Sequence, residues 1–185
     1  MNYPLQTAVS QSYNTIAVKV IMETGVMNVI NQANRMGITS KLPRVPSLAL
    51  GTAELNLTEV AQAYTSYVNK GRPSTPYYIT RIEDGDGNVL AEFPPQIANN
   101  RAFTNTNGQL MIEMMKSVIN EGTGVRLRTT YGLQNDIAGK TGTTQNNKDG
   151  WFVGITPKLV TVTWVGADNH RLGFPNTRIG QGANS

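Results

Sequence analysis

Two short stretches of this 185-residue chain carry residue types that can act together on a substrate: Lys140-Thr141-Gly142-Thr143 and Ser12-Tyr13-Asn14. In the first, the lysine supplies a fixed positive charge and the threonine hydroxyls offer donors to a carboxylate. Gly142 has no Cβ, so a substrate backbone can approach the strand edge and pair with it. The backbone N–H of Thr143 is placed to meet a developing oxyanion, as acyl transfer requires. In the second, a serine hydroxyl can relay a proton between a nucleophile and a leaving amine, and an asparagine amide can orient a peptide group. Ser12 and Asn14 also suit a helix start, where they would satisfy orphan backbone N–H groups. Both readings of that stretch stand.

The elements that must position these residues follow from periodicity. Ile16, Ala17, Val20, Ile21 and Thr24 fall at helical spacing after Asn14, and Gly25 stops that helix. Val26, Val29, Ile30 and Ala33 share one face of a second helix, with Gly37 after it. An irregular stretch runs from Leu42 to Asn56, opened by Pro43 and Pro46. Leu57, Val60, Ala61, Tyr64 and Val68 mark a third helix closed by Gly71. Tyr77 to Glu83 and Asn88 to Phe93 read as a hairpin around Asp84-Gly85-Asp86-Gly87. Thr106 or Asn107 can cap a fourth helix with a core stripe of Met111, Met114, Met115 and Val118. Glu121-Gly122-Thr123-Gly124 breaks it. Three strands follow, Asp136 to Thr143, Gly150 to Ile155 and Leu159 to Ala167. Val160, Val162, Trp164 and Gly166 lie on one face of the last. Helices first and an antiparallel meander last predict an α+β fold.

Bulk properties remove several classes of function. The formal charge is +4, yet the basic residues are scattered, which disfavours nucleic-acid binding. There is no cysteine, so disulfides and thiolate metal sites are excluded. No apolar run approaches the roughly 18 residues of a membrane span. Met1 opens no signal peptide, so an extracytoplasmic role would need targeting sequence outside this chain. A phosphate-binding loop ending at Gly139-Lys140-Thr141 would need glycine where Gln134 stands, and a helix directly afterwards. His170, the only histidine, sits beside Asp168 and Asn169 without partners at metal or triad spacing and reads as a surface residue. Asp149, before Trp151, reads as fixing the strand-connecting loop. Arg126 and Arg128 read as lining the approach to a cleft or as a solvated loop.

The order of motifs resembles the class A penicillin-binding proteins. Ser12-Tyr13-Asn14-Thr15-Ile16-Ala17-Val18, Met36-Gly37-Ile38, Leu50-Gly51, Ala61-Gln62-Ala63-Tyr64 and Asn69-Lys70-Gly71 come first. Glu121-Gly122-Thr123-Gly124, Gly139-Lys140-Thr141-Gly142-Thr143, Asp149-Gly150-Trp151-Phe152-Val153-Gly154 and Trp164-Val165-Gly166-Ala167-Asp168 follow. The resemblance covers essentially the whole chain and implies the penicillin-binding/β-lactamase-like transpeptidase fold. It implies that residues 1–185 are a partial transpeptidase domain, without the segment carrying the nucleophile and its C-terminal end. The family's Ser-x-x-Lys is absent, since no lysine has serine three positions before it.

By that resemblance, an intact parent crosslinks peptidoglycan stem peptides by serine acyl transfer on the extracytoplasmic face of the inner membrane. A glycosyltransferase domain and membrane anchor would lie upstream. Ser12 would be the proton relay, Asn14 the substrate-amide contact, Lys140 the electrostatic anchor, and Thr141, Gly142 and Thr143 the substrate-binding strand. β-Lactams would be the inhibitors, and no metal or cofactor is implied. The alternatives are a serine β-lactamase relative and a non-catalytic binding or structural fragment. Absence of the nucleophile helix should leave an apolar hollow between sheet and helices, open to a symmetric neighbour.

Overall fold

In the computed structural model, which describes residues 3–144, 147–169 and 171–175, helices dominate the first two thirds of the chain and one antiparallel sheet the last part. His170 lies outside the described residues. A six-residue helix α1, Leu5–Ser10, comes first; it is too short for periodicity to reveal. Helices α2, Asn14–Thr24, and α3, Val26–Arg35, meet at Gly25, whose φ of 91° lets one residue end the first and begin the second. A 3-10 turn, Pro46–Leu50, interrupts the stretch read as irregular. Helix α4, Leu57–Val68, follows as the apolar stripe required.

From Ser74 to Ile97 the chain makes an excursion. Strand β1, Ser74–Thr75, pairs with β4, Gln96–Ile97, while β2, Arg81–Glu83, pairs with β3, Val89–Glu92. The Asp84 carboxylate closes the turn by accepting from the N–H groups of Asp86 and Asn88. The strand expected from Tyr77 begins only at Arg81. Pro94 and Pro95 stand opposite its missing part and have no N–H to donate, so the ladder stops. Helix α5, Asn105–Asn120, starts earlier than expected: Thr104, rather than Thr106 or Asn107, is the cap, and its hydroxyl accepts from the Asn107 N–H at 3.2 Å. One more short helix, α6, Arg126–Thr129, precedes the sheet.

The sheet contains β5, Ala138–Thr143, β6, Asp149–Thr156, and β7, Leu159–Gly166, antiparallel in chain order. Register pairs Lys140 with Val153, Gly142 with Trp151 and Trp151 with Trp164. The buried core beneath it is Met115, Ala138, Val153 and Ile155, with Val60, Tyr64, Tyr67, Met111, Val160 and Val162 packed around. Met111 and Met115 of the methionine stripe are therefore core filling, and Val160 and Val162, read onto one face of β7, pack inward. A second core joins Ile30, Ile38 and Leu42 to Ala63. Helix α4 serves both cores, presenting Ala63 to one and Val60, Tyr64 and Tyr67 to the other.

The expected apolar hollow does not lie between the sheet and helices α4 and α5. The space between the sheet and α4 and α5 is filled by the first core. An apolar hollow of about 170 Å³ opens instead on the opposite face, where Phe152, Gly154 and Thr161 alternate with the inward residues and Leu127, Leu133 and Ile137 complete the wall.

One buried charge fixes the helical lobe. Glu59 is buried at the third position of α4, where its N–H donates to the Asn56 side chain. One carboxylate oxygen accepts from the N–H and hydroxyl of Thr39 and from the N–H of Ser40; the other accepts from the Ser40 hydroxyl and the Asn56 amide. The Ser40 and Thr39 hydroxyls lead in holding the pKa down to about 2, against the opposing pull of burial. A carboxylate with a depressed folded-state pKa contributes stability that is full above its ordinary value and lost as pH falls through about 2. Glu59→Gln should lower stability at pH 7 by about 2 kcal/mol. In urea titrations from pH 6 to pH 2, it should also flatten the acid limb relative to wild type.

Candidate active site

Ser12 occupies the corner between α1 and α2, and its backbone explains the corner. The Tyr13 N–H donates to the Ala8 carbonyl at 3.0 Å and the Ser12 N–H to the Val9 carbonyl at 3.3 Å. Those two bonds are the six-to-one and five-to-two closures of a Schellman helix end. That motif places Ser12 in the left-handed region, with φ of 53°, a position where glycine is the usual residue. A serine there stores roughly 1 kcal/mol of backbone strain. The helix-cap reading of Ser12 and Asn14 fails, because Tyr13 is the N-cap of α2 and no side-chain cap bond is made. Asn14 is simply the first helical residue, exposed, two positions beyond Ser12.

Lys140 reaches this corner from the sheet. Its ammonium donates to the Ser12 hydroxyl across 128 positions of sequence, and to the Thr141 carbonyl at 2.9 Å. Burial alone lowers the lysine pKa from 10.5 to about 8, so the ammonium is retained at neutral pH and released slightly above it. The strand that carries it is at a sheet edge: among the described residues β5 pairs only with β6. Gly142 faces Trp151, and an added Cβ would lie 3.1 Å from the Cβ of that cross-strand partner. Packing thus favours a glycine here, as would any approach from outside. Thr141 is half-buried and Thr143 is exposed at the end of β5.

A loop that sequence reasoning treated as a helix breaker completes the cluster. The Thr123 N–H donates to the Ser10 carbonyl at 3.1 Å, and the Thr123 and Thr141 hydroxyls lie 2.6 Å apart. Gly122 permits this because an added Cβ would come within 2.3 Å of the same Ser10 carbonyl. The available signal was a hydroxyl between two glycines directly after a helix. Contacts therefore join Ser12, Lys140, Thr141 and Thr123, with Asn14, Gly142 and Thr143 carried by the same backbone segments. Sequence reads Asp149 as fixing the strand-connecting loop; its carboxylate instead accepts from the Trp164 indole at 3.1 Å and ties β6 to β7. Arg128 is committed elsewhere, donating to the Asn120 side chain and to the Leu133 and Asn135 carbonyls.

An α+β body with Lys-Thr-Gly-Thr on an edge strand, its lysine on a serine between two helices, is the arrangement of a penicillin-binding transpeptidase. Residues 2–173 match the family described as the penicillin binding protein transpeptidase domain. Penicillin-binding protein 1A of Neisseria meningitidis is 36% identical over 181 residues, covering 94% of this chain and 22% of that protein. The crystal structure of penicillin-binding protein 1A from Haemophilus influenzae superposes with a TM-score of 0.87 at 26% identity, covering 97% of this chain and 32% of that one. PonA1 of Mycobacterium tuberculosis, solved with penicillin V, superposes at 0.72 with 24% identity over 88% of this chain and 47% of that one. The chain belongs to the penicillin-binding protein transpeptidase domain family. It spans about a fifth of the length of the Neisseria relative.

The strain at Ser12 can be measured. Ser12→Ala and Ser12→Gly both remove the hydroxyl that meets Lys140, but only glycine relieves the positive φ. The glycine variant should be the more stable of the two by about 1 kcal/mol in urea denaturation; equal midpoints would place Ser12 outside the left-handed region.

Proposed function

We propose that this chain supplies the relay, anchor and carboxylate site of a D,D-transpeptidase domain in a class A penicillin-binding protein. The contact of Lys140 with Ser12 carries the reading, because it joins two motifs that only a shared reaction centre requires to meet. The nucleophile is a serine of a Ser-x-x-Lys motif outside these 185 residues. Its hydroxyl attacks a stem-peptide carbonyl, the carbon–nitrogen bond breaks, and an ester to the enzyme forms. Ser12 passes the nucleophile's proton to the departing amine; an acceptor amine then attacks the ester and completes the crosslink. Lys140 keeps its positive charge beside the relay, Asn14 orients the substrate amide, and Thr141 and Thr143 hold its carboxylate. β-Lactams occupy the same place in this reading, which the structure of PonA1 in complex with penicillin V supports. The reaction belongs on the extracytoplasmic face of the membrane, through an anchor elsewhere in the polypeptide.

Intact-mass measurement after exposure to a penicillin tests this. The 185-residue chain alone should form no covalent adduct, and the full-length polypeptide one, mapped to the serine of a Ser-x-x-Lys motif. An adduct on Ser12 would overturn the relay assignment.

The lysine adds a pH signature. Its ammonium is lost as pH rises through about 8, so acylation by a carboxylate-bearing penicillin should decline above that value, approaching tenfold per unit. A profile level to pH 10 would refute an anchoring charge at Lys140. Folding stability should move the other way, rising between about 8 and the ordinary 10.5 as the cost of burying the ammonium is relieved.

A further inference from the structure

Thr123 belongs to neither of the motifs assigned above, yet it touches both halves of the site. Its N–H holds the Ser10 carbonyl, two residues before the relay serine, and its hydroxyl holds that of Thr141 on the edge strand. Glycines flank it for reasons of space. A Cβ on Gly122 would strike the Ser10 carbonyl, and one on Gly124 would lie 2.9 Å from the Ile119 side chain. The loop is therefore pressed flat against the end of α1 and against α5, with only the threonine side chain directed at β5.

We infer that Thr123 is a positioning residue for carboxylate recognition, acting through Thr141; the inference rests on the transpeptidase reading. A threonine hydroxyl has one proton and two lone pairs. When an anion meets Thr141, the Thr141 proton must point at the anion, and its oxygen is left to accept. The Thr123 hydroxyl at 2.6 Å is placed to donate there. The result is a two-step chain, Thr123 to Thr141 to carboxylate, in which each bond polarises the next. Without Thr123, the Thr141 hydroxyl is free to rotate away, and the strand edge keeps its shape but loses its preset donor. The Thr123 amide and the two glycines would still maintain the loop, so the hydroxyl alone carries the recognition.

The test compares acylation of the full-length protein by a penicillin and by its methyl ester, which lacks the carboxylate charge. Thr123→Val keeps the shape of the side chain and removes the hydroxyl. It should slow acylation by the acid about 3- to 10-fold while changing the ester rate by less than about twofold. Thr123→Ser should restore the wild-type ratio of acid to ester. Both rates are measured on one preparation, so their ratio is independent of the folded fraction; Thr123→Ala provides a second hydroxyl-free variant should valine pack poorly. Equal slowing with acid and ester would make Thr123 a structural strap and overturn the inference. No slowing with either, or a serine variant that behaves as valine does, would also overturn it. Failure of the wild-type protein to acylate at all is a different result, and would remove the transpeptidase reading together with everything built on it.

Discussion

A lysine ammonium held against a serine hydroxyl, 128 residues away in sequence, is the constraint on which the rest of the structure depends. For that contact to exist, β5 must run along the edge of the sheet with its inward residues alternating as Ala138, Lys140 and Gly142. The chain must also turn sharply between α1 and α2. The edge position comes from the meander order β5-β6-β7. The turn comes from a helix end closed in the left-handed conformation. Neither half has a reason in its own local packing to point at the other. What brings them together is α5, whose last turn buries Ser117, Val118 and Ile119 and then sends the Gly122–Gly124 loop across the end of α1.

Helix α4 performs the corresponding task at larger scale. One side of it closes the core of Ile30, Ile38 and Leu42, and the other lies on the core beneath the sheet. The two clusters therefore share a wall, and the helical lobe is set against the sheet by apolar packing on both sides of one helix. Glu59 fixes the start of that wall to the segment at Thr39 and Ser40 through hydrogen bonds that fill both carboxylate oxygens. A buried charge so fully partnered selects one arrangement of the loop, since moving the Thr39–Ser40 segment away would take four of its five donors from a carboxylate in a dry place. Surface pairs contribute less. Lys116 bridges Glu113 and Asp136 at 3.0 Å each, just before β5 begins, but both carboxylates are largely solvated.

Much of this was legible in the chain. The period of Met111, Met115 and Val118 identified the core face of α5, and the alternation along β7 put Val160 and Val162, which pack inward, on one face. Glycines at 25 and 71 marked real helix ends. What sequence could not show has a common cause. Helix α1 and the strands β1 and β4 are too short to display a period. The start of α5 was misplaced because Thr104 and Thr106 are both competent caps, and only the approach of the chain chooses between them. Thr123 escaped because a Gly-Thr-Gly loop looks the same whether its threonine meets solvent or a second hydroxyl. Motif order in the chain pointed to Ser12 and Lys140 sharing a site, but the left-handed backbone at Ser12 left no trace, because serine is not a residue that announces it.

The backbone at Ser12 and the burial of Lys140 support the proposal that the cluster is a reaction site. Two local rules are broken within one hydrogen bond of each other: a serine sits where glycine is preferred, and a lysine ammonium is buried enough to lower its pKa to about 8. Each is unfavourable for folding taken alone, and they are unfavourable for unrelated reasons, backbone sterics in one case and desolvation in the other. Glycine at position 12 would relieve the first, and moving the lysine toward solvent would relieve the second, yet either change would dissolve the contact between them. A packing requirement explains neither residue, since the corner would close with glycine and the strand would pair with β6 whatever stood at 140. The feature they share is a proton-bearing oxygen beside a held positive charge at an open strand edge. The proposed chemistry accounts for both departures at once, and stability accounts for neither.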